Sequence, residues 1–189
     1  MKRIVLFASG SGSNVENIEQ YFRDNPEVSI SCVLSNKKEA KVFERCNRLN
    51  LNALYFNRHA FYGSDCVLNI LKSLNPDLIV LAGFLWKIPD NLIRSYPNKI
   101  INIHPALLPK YGGKGMYGMH VHEAVKNNNE TETGITIHYV NENYDEGAII
   151  KQAKVALSPN DTPEMIAEKV HQLEYGHFPK VIEQVLMGT

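Results

Sequence analysis

Residues 4–14 read IVLFASGSGSN, an apolar run that passes directly into a turn of glycine, serine and asparagine. The apolar part, Ile4 to Phe7, is typical of a strand that is buried on both faces, as in a parallel sheet. Similar runs occur at 29–34, 78–81 and 100–103, and stretches with helical spacing of apolar residues occur at 15–22, 40–49, 60–74 and 91–96. This alternation predicts an α/β fold with a doubly wound, mostly parallel sheet.

The second half of the chain has a different pattern. Two runs rich in β-branched residues, GITIHYV at 134–140 and AIIKQA at 148–153, are joined by a short polar segment. They predict antiparallel strands that extend the sheet in the carboxyl-terminal half.

A final amphipathic helix is expected over Pro163 to Leu186. Asp161 or Thr162 is the expected cap, because both side chains can accept a hydrogen bond from the first turn. Pro179 lies inside this segment and is expected to interrupt or kink the helix.

Composition limits the class of protein. With 189 residues and 44% hydrophobic content, the chain can bury one full core, so residues 1–189 are interpreted as a single domain. Lysine plus arginine equals aspartate plus glutamate at 20 each, and this balance provides no field that attracts nucleic acid or an anionic membrane. We therefore expect small-molecule partners and a monomer or homodimer.

The cysteines and the amino terminus indicate the compartment. Cys32, Cys46 and Cys66 are odd in number and lack CxxC spacing, so neither a disulfide framework nor a zinc site is expected. The apolar run that starts at Ile4 is interrupted after Ala8, which is too short for a membrane span and lacks a signal cleavage region. The prediction is a cytoplasmic protein that binds no metal ion.

The turn from Ser9 to Asn14 lies between the first strand and the first helix. Backbone N–H groups in a glycine-rich turn can converge on an anion, and the helix amino terminus adds a favourable partial charge. Val15 stands where GxGxxG has its third glycine and no Gly-Lys-Ser/Thr follows, so neither a dinucleotide fingerprint nor a P-loop is indicated. A site for one phosphate and an ordinary turn capped by Ser or Asn both remain open.

Polar side chains interrupt the apolar strand at 100–103. Because side chains alternate across a strand, Asn102 and His104 project to one face while the neighbouring isoleucines fill the other. Pro105 ends the strand and places the pair at its carboxyl end, where open α/β sheets bind ligands. An amide donor beside an imidazole suits the stabilisation of a developing oxyanion and the transfer of a proton during acyl transfer.

The polar segment 141–147 contains an ambiguous candidate. Asp145 lies among acidic and asparagine residues that are typical of a solvated turn, and only a link to the strand-end pair would give it a functional role. His138 shares a strand face with Thr136 and is either a core histidine or a site residue.

The segment 112–122 contains weaker candidates. His120 and His122 are two positions apart, a spacing that sends them to different sides of a helix, so a metal-binding pair is not expected. The cluster from Gly112 to Gly118 predicts a mobile loop whose lysine, Lys114, could meet an anion.

Four segments form a set that occurs together in one known family: SGSGSN at 9–14, LAGF at 81–84, NIHPALLP at 102–109, and GITIH at 134–138 leading to DEG at 145–147. With these motifs the chain resembles the glycinamide ribonucleotide formyltransferase family, nearly from end to end. The block Asn-x-His-Pro-x-Leu-Leu-Pro followed by the acidic turn is specific to folate formyl-transfer domains. The resemblance implies a Rossmann-like fold in which the amino-terminal part binds the nucleotide phosphate and the carboxyl-terminal part binds folate and carries catalysis.

The resemblance places Asn102, His104 and Asp145 at the catalytic positions of the family. It implies that the glycinamide amine attacks the formyl carbon of the co-substrate 10-formyltetrahydrofolate, in the purine biosynthetic pathway. Asn102 and protonated His104 would stabilise the oxygen of the tetrahedral intermediate, and water or the imidazole would carry the proton to the folate nitrogen. Asp145 is expected to support the charge of His104 and to raise the pKa of the histidine.

The resemblance also assigns binding positions. Those for the nucleotide are Gly12, Ser13, Asn14, His171 and Glu174, and those for folate are Leu85, Trp86, Ile88, Val140, Asn141 and Tyr144. The chain departs from the family at Trp86-Lys87, which replaces an arginine and an apolar residue. A second departure is the loop 113–119, which is longer than in many relatives.

Three other functions are weighed against this one. A formyltetrahydrofolate hydrolase is expected to carry a regulatory domain before this one and a second histidine at the Pro105 position. A methionyl-tRNA formyltransferase is expected to carry a further carboxyl-terminal domain and a basic surface. A folate- or nucleotide-binding module without catalysis would share the binding loops, but the polar trio disfavours it.

Overall fold

The computed structural model describes residues 1–188, in which seven strands and six α-helices alternate. The strands are β1 Lys2–Phe7, β2 Val28–Ser35, β3 Ala53–Tyr55, β4 Leu78–Leu81, β5 Ile100–His104, β6 Glu132–Tyr139 and β7 Ile149–Ala156. The helices are α1 Ser13–Phe22, α2 Val42–Arg48, α3 Cys66–Leu74, α4 Asp90–Ser95, α5 Met119–Asn127 and α6 Pro163–Met187, with a π-helical turn at His59–Gly63.

All seven strands form one sheet in the order β3-β2-β1-β4-β5-β6-β7. The pairs among β1 to β5 are parallel, whereas β6 runs antiparallel to β5 and β7 runs antiparallel to β6. The predicted fold class is therefore confirmed, including the antiparallel strands in the carboxyl-terminal half.

Helices cover both faces of the sheet, which explains why β1 and β4 are apolar at successive positions. Side chains of α1, α2, α5 and α6 pack on one face, where Ile101 and Ile103 also point. Side chains of α3 and α4 pack on the other face with the aromatic cluster of Phe7, Phe56, Phe61 and Phe84.

The segment 60–74 was predicted as one helix, and this prediction is wrong. The π-helical turn ends at Gly63, Ser64 is extended with φ −154°, and α3 starts only at Cys66. The buried ring of Phe61 lies 5.0 Å from the ring of Phe56, so aromatic packing holds the turn against the core and separates it from α3. The strand β3 was not predicted, because three half-exposed residues at a sheet edge carry no readable alternation.

The final helix matches its predicted range, and the hydroxyl of Thr162 caps it by accepting from the N–H of Met165. Pro179 was expected to interrupt or kink this helix; α6 continues through the residue, so the interruption is wrong and the kink stays a prediction. Proline has no N–H for the carbonyl four residues earlier, and that carbonyl, of Tyr175, instead accepts a hydrogen bond from the side-chain amide of Asn17 at 3.1 Å. A contact from α1 thus replaces the missing helical bond.

The order of the strands creates a crevice. β1 lies in the sheet between β2 and β4. The connection that follows β1 leads toward one edge of the sheet and the connection that follows β4 leads toward the other edge, so the loops at their carboxyl ends diverge. The two loops stay joined at their base, because the N–H of Ser9 donates to the carbonyl of Gly83 at 3.0 Å.

Candidate active site

A cavity of about 410 Å³ opens at the carboxyl ends of β1, β4 and β5. Segments from every part of the chain line it: 10–14, 81–88, 102–105, 113–118, 138–145 and the helix residues His122, His171 and Glu174. Every residue that the sequence assigned to a catalytic, nucleotide or folate position borders this one cavity. Its volume lies in the range of small-molecule sites.

The glycine turn forms one end of the cavity. Gly12 adopts φ +75° at the position before α1, and a Cβ there would collide with the side chain of Val42. No side chain within residues 1–188 caps α1, so the interpretation of an ordinary turn with a Ser or Asn cap is wrong. The first N–H groups of α1 therefore have no side-chain acceptor, and Gly12, Ser13 and Asn14 border the cavity.

A buried polar pair lies beside this turn. The amide nitrogen of Asn14 donates to Glu174 Oε2 at 2.8 Å, while Asn14 Oδ1 is enclosed and has no hydrogen-bond partner among the described residues. Burial raises the pKa of Glu174, and the bond from Asn14 only partly offsets this. His171 lies one helical turn earlier on the same helix, with its ring stacked on Tyr175.

The strand-end pair lies as predicted, with Asn102 and His104 facing the cavity from β5. The amide nitrogen of Asn102 donates to His138 Nε2 at 3.2 Å, and His138 Nδ1 donates to the carbonyl of Tyr139 at 2.9 Å. His138 therefore lines the cavity, and the carbonyl of Tyr139 sets the tautomer of its neutral ring. Thr136, on the same face, is structural: its hydroxyl binds Leu108 N and the carbonyl of Ala106.

Asp145 is brought over this pair by the connection between β6 and β7. Asp145 adopts φ +55°, a conformation that aspartate and asparagine tolerate better than most residues, and a Cβ on Gly147 would collide with the carbonyl of Tyr139. Its carboxylate lies 3.6 Å from both His104 Nδ1 and His138 Nε2, and Oδ2 accepts from Gly113 N at 2.9 Å. The ambiguous acidic turn is thus linked to the strand-end pair.

Hydrogen bonding determines which nitrogen of His104 can take up a proton. Nε2 donates to the carbonyl of Tyr111 at 2.7 Å, so it carries the hydrogen in the neutral ring. Nδ1 is then the basic nitrogen, and it faces Asp145 at 3.6 Å, which is longer than a hydrogen bond. The two groups are coupled through charge.

The net pKa shift of His104 differs from the prediction. Burial lowers the pKa of His104, and Asp145 and the Tyr111 carbonyl raise it by less. Asp145 raises the pKa of His104 as predicted, but the net pKa is lowered. The reason is that the enclosed ring loses the hydration that favours its charged form. Burial raises the pKa of Asp145, but the contacts from His138, His104 and the Gly113 N–H outweigh burial and hold that pKa below its usual range.

The other end of the cavity is more apolar. Ile88 is buried there, Leu85, Trp86 and Val140 lie beside it, and Asn141 and Tyr144 form the rim. The Trp86 ring packs on the aromatic cluster, 5.9 Å from Phe61, and Lys87 Nζ lies 5.8 Å from the centre of the Tyr144 ring. These residues make this end of the cavity mostly apolar, with the Lys87 ammonium group beside Tyr144.

Sequence reasoning missed some lining residues. His122 was considered only as half of a metal pair, yet its side chain is buried in the cavity wall, whereas His120 is exposed on the other side of α5 as its spacing predicted. The backbone of Tyr111 and Gly113 also contributes, and no side-chain pattern could reveal a carbonyl or an N–H. Lys114 borders the cavity from its loop.

Two further observations concern residues 1–188. They contain no group of three or more His, Cys, Asp or Glu side chains placed to hold a metal ion. Over the same residues, no helix combines the length and apolar character needed to cross a bilayer.

The chain has an α/β fold in which a glycine turn at a helix amino terminus and a histidine–carboxylate cluster border one cavity. Residues 2–182 match the formyl transferase family, and the chain belongs to that family. It is 37% identical to phosphoribosylglycinamide formyltransferase of Bacillus subtilis, over 98% of this chain and 95% of the relative. Identity to the chloroplastic phosphoribosylglycinamide formyltransferase of Arabidopsis thaliana is 36% over 96% of this chain, which spans only 64% of that relative.

Solved structures agree with these relatives. The phosphoribosylglycinamide formyltransferase of Streptococcus pneumoniae superposes with a TM-score of 0.87 at 31% identity, covering 98% of this chain and 99% of that one.

Proposed function

We propose that this protein transfers the formyl group of 10-formyltetrahydrofolate to the amine of phosphoribosylglycinamide, in purine biosynthesis. The observation that carries the proposal is the placement of the uncapped glycine turn and the Asn102–His104–Asp145 cluster in one cavity. The names of the relatives from Bacillus and Arabidopsis support the same substrate.

The nucleotide is assigned to the glycine-turn end. The N–H groups of Gly12, Ser13 and Asn14 would bind the phosphate, because a helix amino terminus without a cap offers free donors and a favourable dipole. His171 and Glu174, on α6, would contact the sugar and phosphate, and the raised pKa of Glu174 suits hydrogen bonding to hydroxyl groups.

The folate is assigned to the apolar end. Leu85, Ile88 and Val140 would flank the flat pterin ring, and backbone groups of 140–144 would meet its polar edge. Trp86 and Tyr144 extend this end toward solvent, and Lys87 at the opening suits the carboxylates of a folate tail. The bound folate would supply the formyl group.

The cluster between these ends would perform the transfer. A bond forms between the glycinamide nitrogen and the formyl carbon, the bond from that carbon to the folate nitrogen breaks, and one proton moves from the amine to the folate nitrogen. The free amide hydrogen of Asn102 would donate to the formyl oxygen as negative charge develops there. His104 would accept the proton on Nδ1 and hold it beside ionised Asp145 until the folate nitrogen takes it.

The direct test is mass spectrometry of the nucleotide after incubation with both substrates. Gain of one formyl group on phosphoribosylglycinamide is the expected result. Formate release that does not depend on the nucleotide would instead indicate the hydrolase. Binding of both compounds without conversion would indicate the non-catalytic module.

The proposal treats residues 1–189 as one catalytic domain in the cytoplasm. Cys32, Cys46 and Cys66 are free thiols, which fits a reducing compartment. The oligomeric state, a monomer or a homodimer, stays a prediction.

A further inference from the structure

His122 is the polar side chain of the cavity wall that the proposed chemistry does not use. It lies in the first turns of α5 with 2% of its surface exposed. Its Nδ1 is enclosed and has no hydrogen-bond partner within residues 1–188. Nε2 likewise makes no hydrogen bond with the described residues but is not fully enclosed, and a free nitrogen on a buried ring that borders a ligand cavity points to a ligand as its partner.

The charge state of this ring restricts what it can bind. Burial lowers the pKa of His122 to about 4, and the neighbouring His171 and His104 act in the same direction. The ring is therefore neutral at physiological pH and offers one donor and one acceptor. Nδ1 has no acceptor near it, so the hydrogen belongs on Nε2, the nitrogen that is not enclosed.

The position of the ring restricts the target further. Its charge neighbours are His171, which borders the nucleotide end of the cavity, and His104, in the transfer cluster. A ligand that spans these two ends passes His122 with its middle portion. In phosphoribosylglycinamide that portion lies between the phosphate and the amine and contains ribose hydroxyls and one amide carbonyl.

We propose that His122 is a binding residue for the acceptor nucleotide, donating Nε2–H to an uncharged oxygen between its phosphate and its amine. This inference rests on the proposed function. A neutral donor suits a hydroxyl or carbonyl oxygen, whereas a phosphate would favour the imidazolium and is already served by the glycine turn.

The test compares His122→Phe, which keeps a flat ring without a donor, with His122→Gln, whose amide nitrogen reaches the place of Nε2. Calorimetry with phosphoribosylglycinamide should show about tenfold weaker binding for His122→Phe, the worth of one hydrogen bond, and near-wild-type binding for His122→Gln. The KM for the nucleotide should rise by the same factor, while kcat and the KM for folate change little. His120→Phe, on the exposed side of α5, is the matched control and should bind like the wild type.

Ribose 5-phosphate, as a second probe, distinguishes a contact with a ribose hydroxyl from a contact with the glycinamide carbonyl. Weaker binding of ribose 5-phosphate by His122→Phe assigns the contact to a ribose hydroxyl, and a loss seen only with the full nucleotide assigns it to the glycinamide carbonyl. A folded His122→Phe protein that binds phosphoribosylglycinamide as well as the wild type would overturn the inference, as would a fall in kcat at unchanged KM. Failure of the wild type to formylate the nucleotide would count against the proposed function, and the binding measurements would still decide the role of His122.

Discussion

The glycine turn and the histidine–carboxylate cluster border the same cavity but are built in different ways. In the proposed function the turn would act through backbone N–H groups, and its geometry depends on the absence of a side chain at Gly12. The cluster acts through the side chains of Asn102, His104, His138 and Asp145, which are mostly buried and coupled by charge. A backbone site is therefore sensitive to shape and indifferent to pH, whereas the cluster is sensitive to single atoms and to protonation.

The largest expected effect is at Asn102. Asn102→Ala removes the donor aimed at the formyl oxygen and should lower kcat by roughly 10²–10³, with a modest change in substrate binding. Steady-state kinetics with each substrate varied would measure this. Asn69→Ala, an exposed amide on α3, is the control and should leave kcat unaltered. Unchanged turnover in Asn102→Ala would mean that this residue is structural. The cluster would then not depend on its side chains in the way that distinguishes it from the glycine turn.

The next effect concerns the charge of Asp145. Asparagine tolerates φ +55° and can still accept from the Gly113 N–H, so Asp145→Asn should fold normally. The lost carboxylate no longer raises the pKa of His104, which should fall further, and turnover should drop by about 10²-fold. The pH–rate profile should move to the acid side, as measured by kcat against pH alongside a melting curve.

Glu146→Gln is the control for this charge, because it removes an exposed carboxylate from the adjacent position. Its rates should match the wild type. If Asp145→Asn also matched the wild type at every pH, the carboxylate would be only a ligand for the Gly113 N–H.

A smaller effect is expected at the glycine turn. Gly12→Ala places a Cβ against Val42 at a positive φ, with a strain of about 1–3 kcal/mol. Nucleotide affinity should fall by about tenfold or more as this strain displaces the N–H groups, while folate affinity stays the same. Calorimetry with each ligand separates the two.

Gly176→Ala is the matched control, since its Cβ would enter open space on the exposed side of α6. It should stabilise the protein by about 0.5–1 kcal/mol through helix propensity. Equal loss of both ligands in Gly12→Ala would mean that the turn supports the whole cavity and is no separate phosphate site.

The last prediction concerns stability in acid. The pKa of His122 is about 4 in the folded protein and near 6.5 in the unfolded chain, so unfolding takes up about one proton between these values. A depressed folded pKa contributes stability that is present above pH 6.5 and is lost as the pH falls toward 4. Denaturant unfolding from pH 7 to pH 4.5 should show this loss, and His122→Gln should flatten it. A profile that is equally steep in His122→Gln would assign the acid sensitivity to other groups with a lowered pKa, such as His104 and Asp145.

Several elements were predictable because they rest on local regularities. The buried strands were visible because helices cover both faces of the sheet, and the same-face placement of Asn102 and His104 follows from the alternation of any strand. The helix start was visible to within one residue, at Asp161 or Thr162, because capping is a local hydrogen bond, and the structure has Thr162 as the cap. The break at Gly63 and Ser64 was not, since it depends on Phe61 packing against residues from distant strands.

By itself the sequence determined the fold class, the residues of the core strands, and the polar pair at the end of β5, because backbone periodicity and side-chain polarity decide these locally. Only the tertiary structure decided that Asp145 faces His104 and His138, that His122 is enclosed without a partner, and that α6 continues through Pro179. It also decided that burial outweighs the carboxylate and lowers the pKa of His104. Solvent exclusion and contacts between distant segments exist only once the sheet, the loops and the helices have packed together.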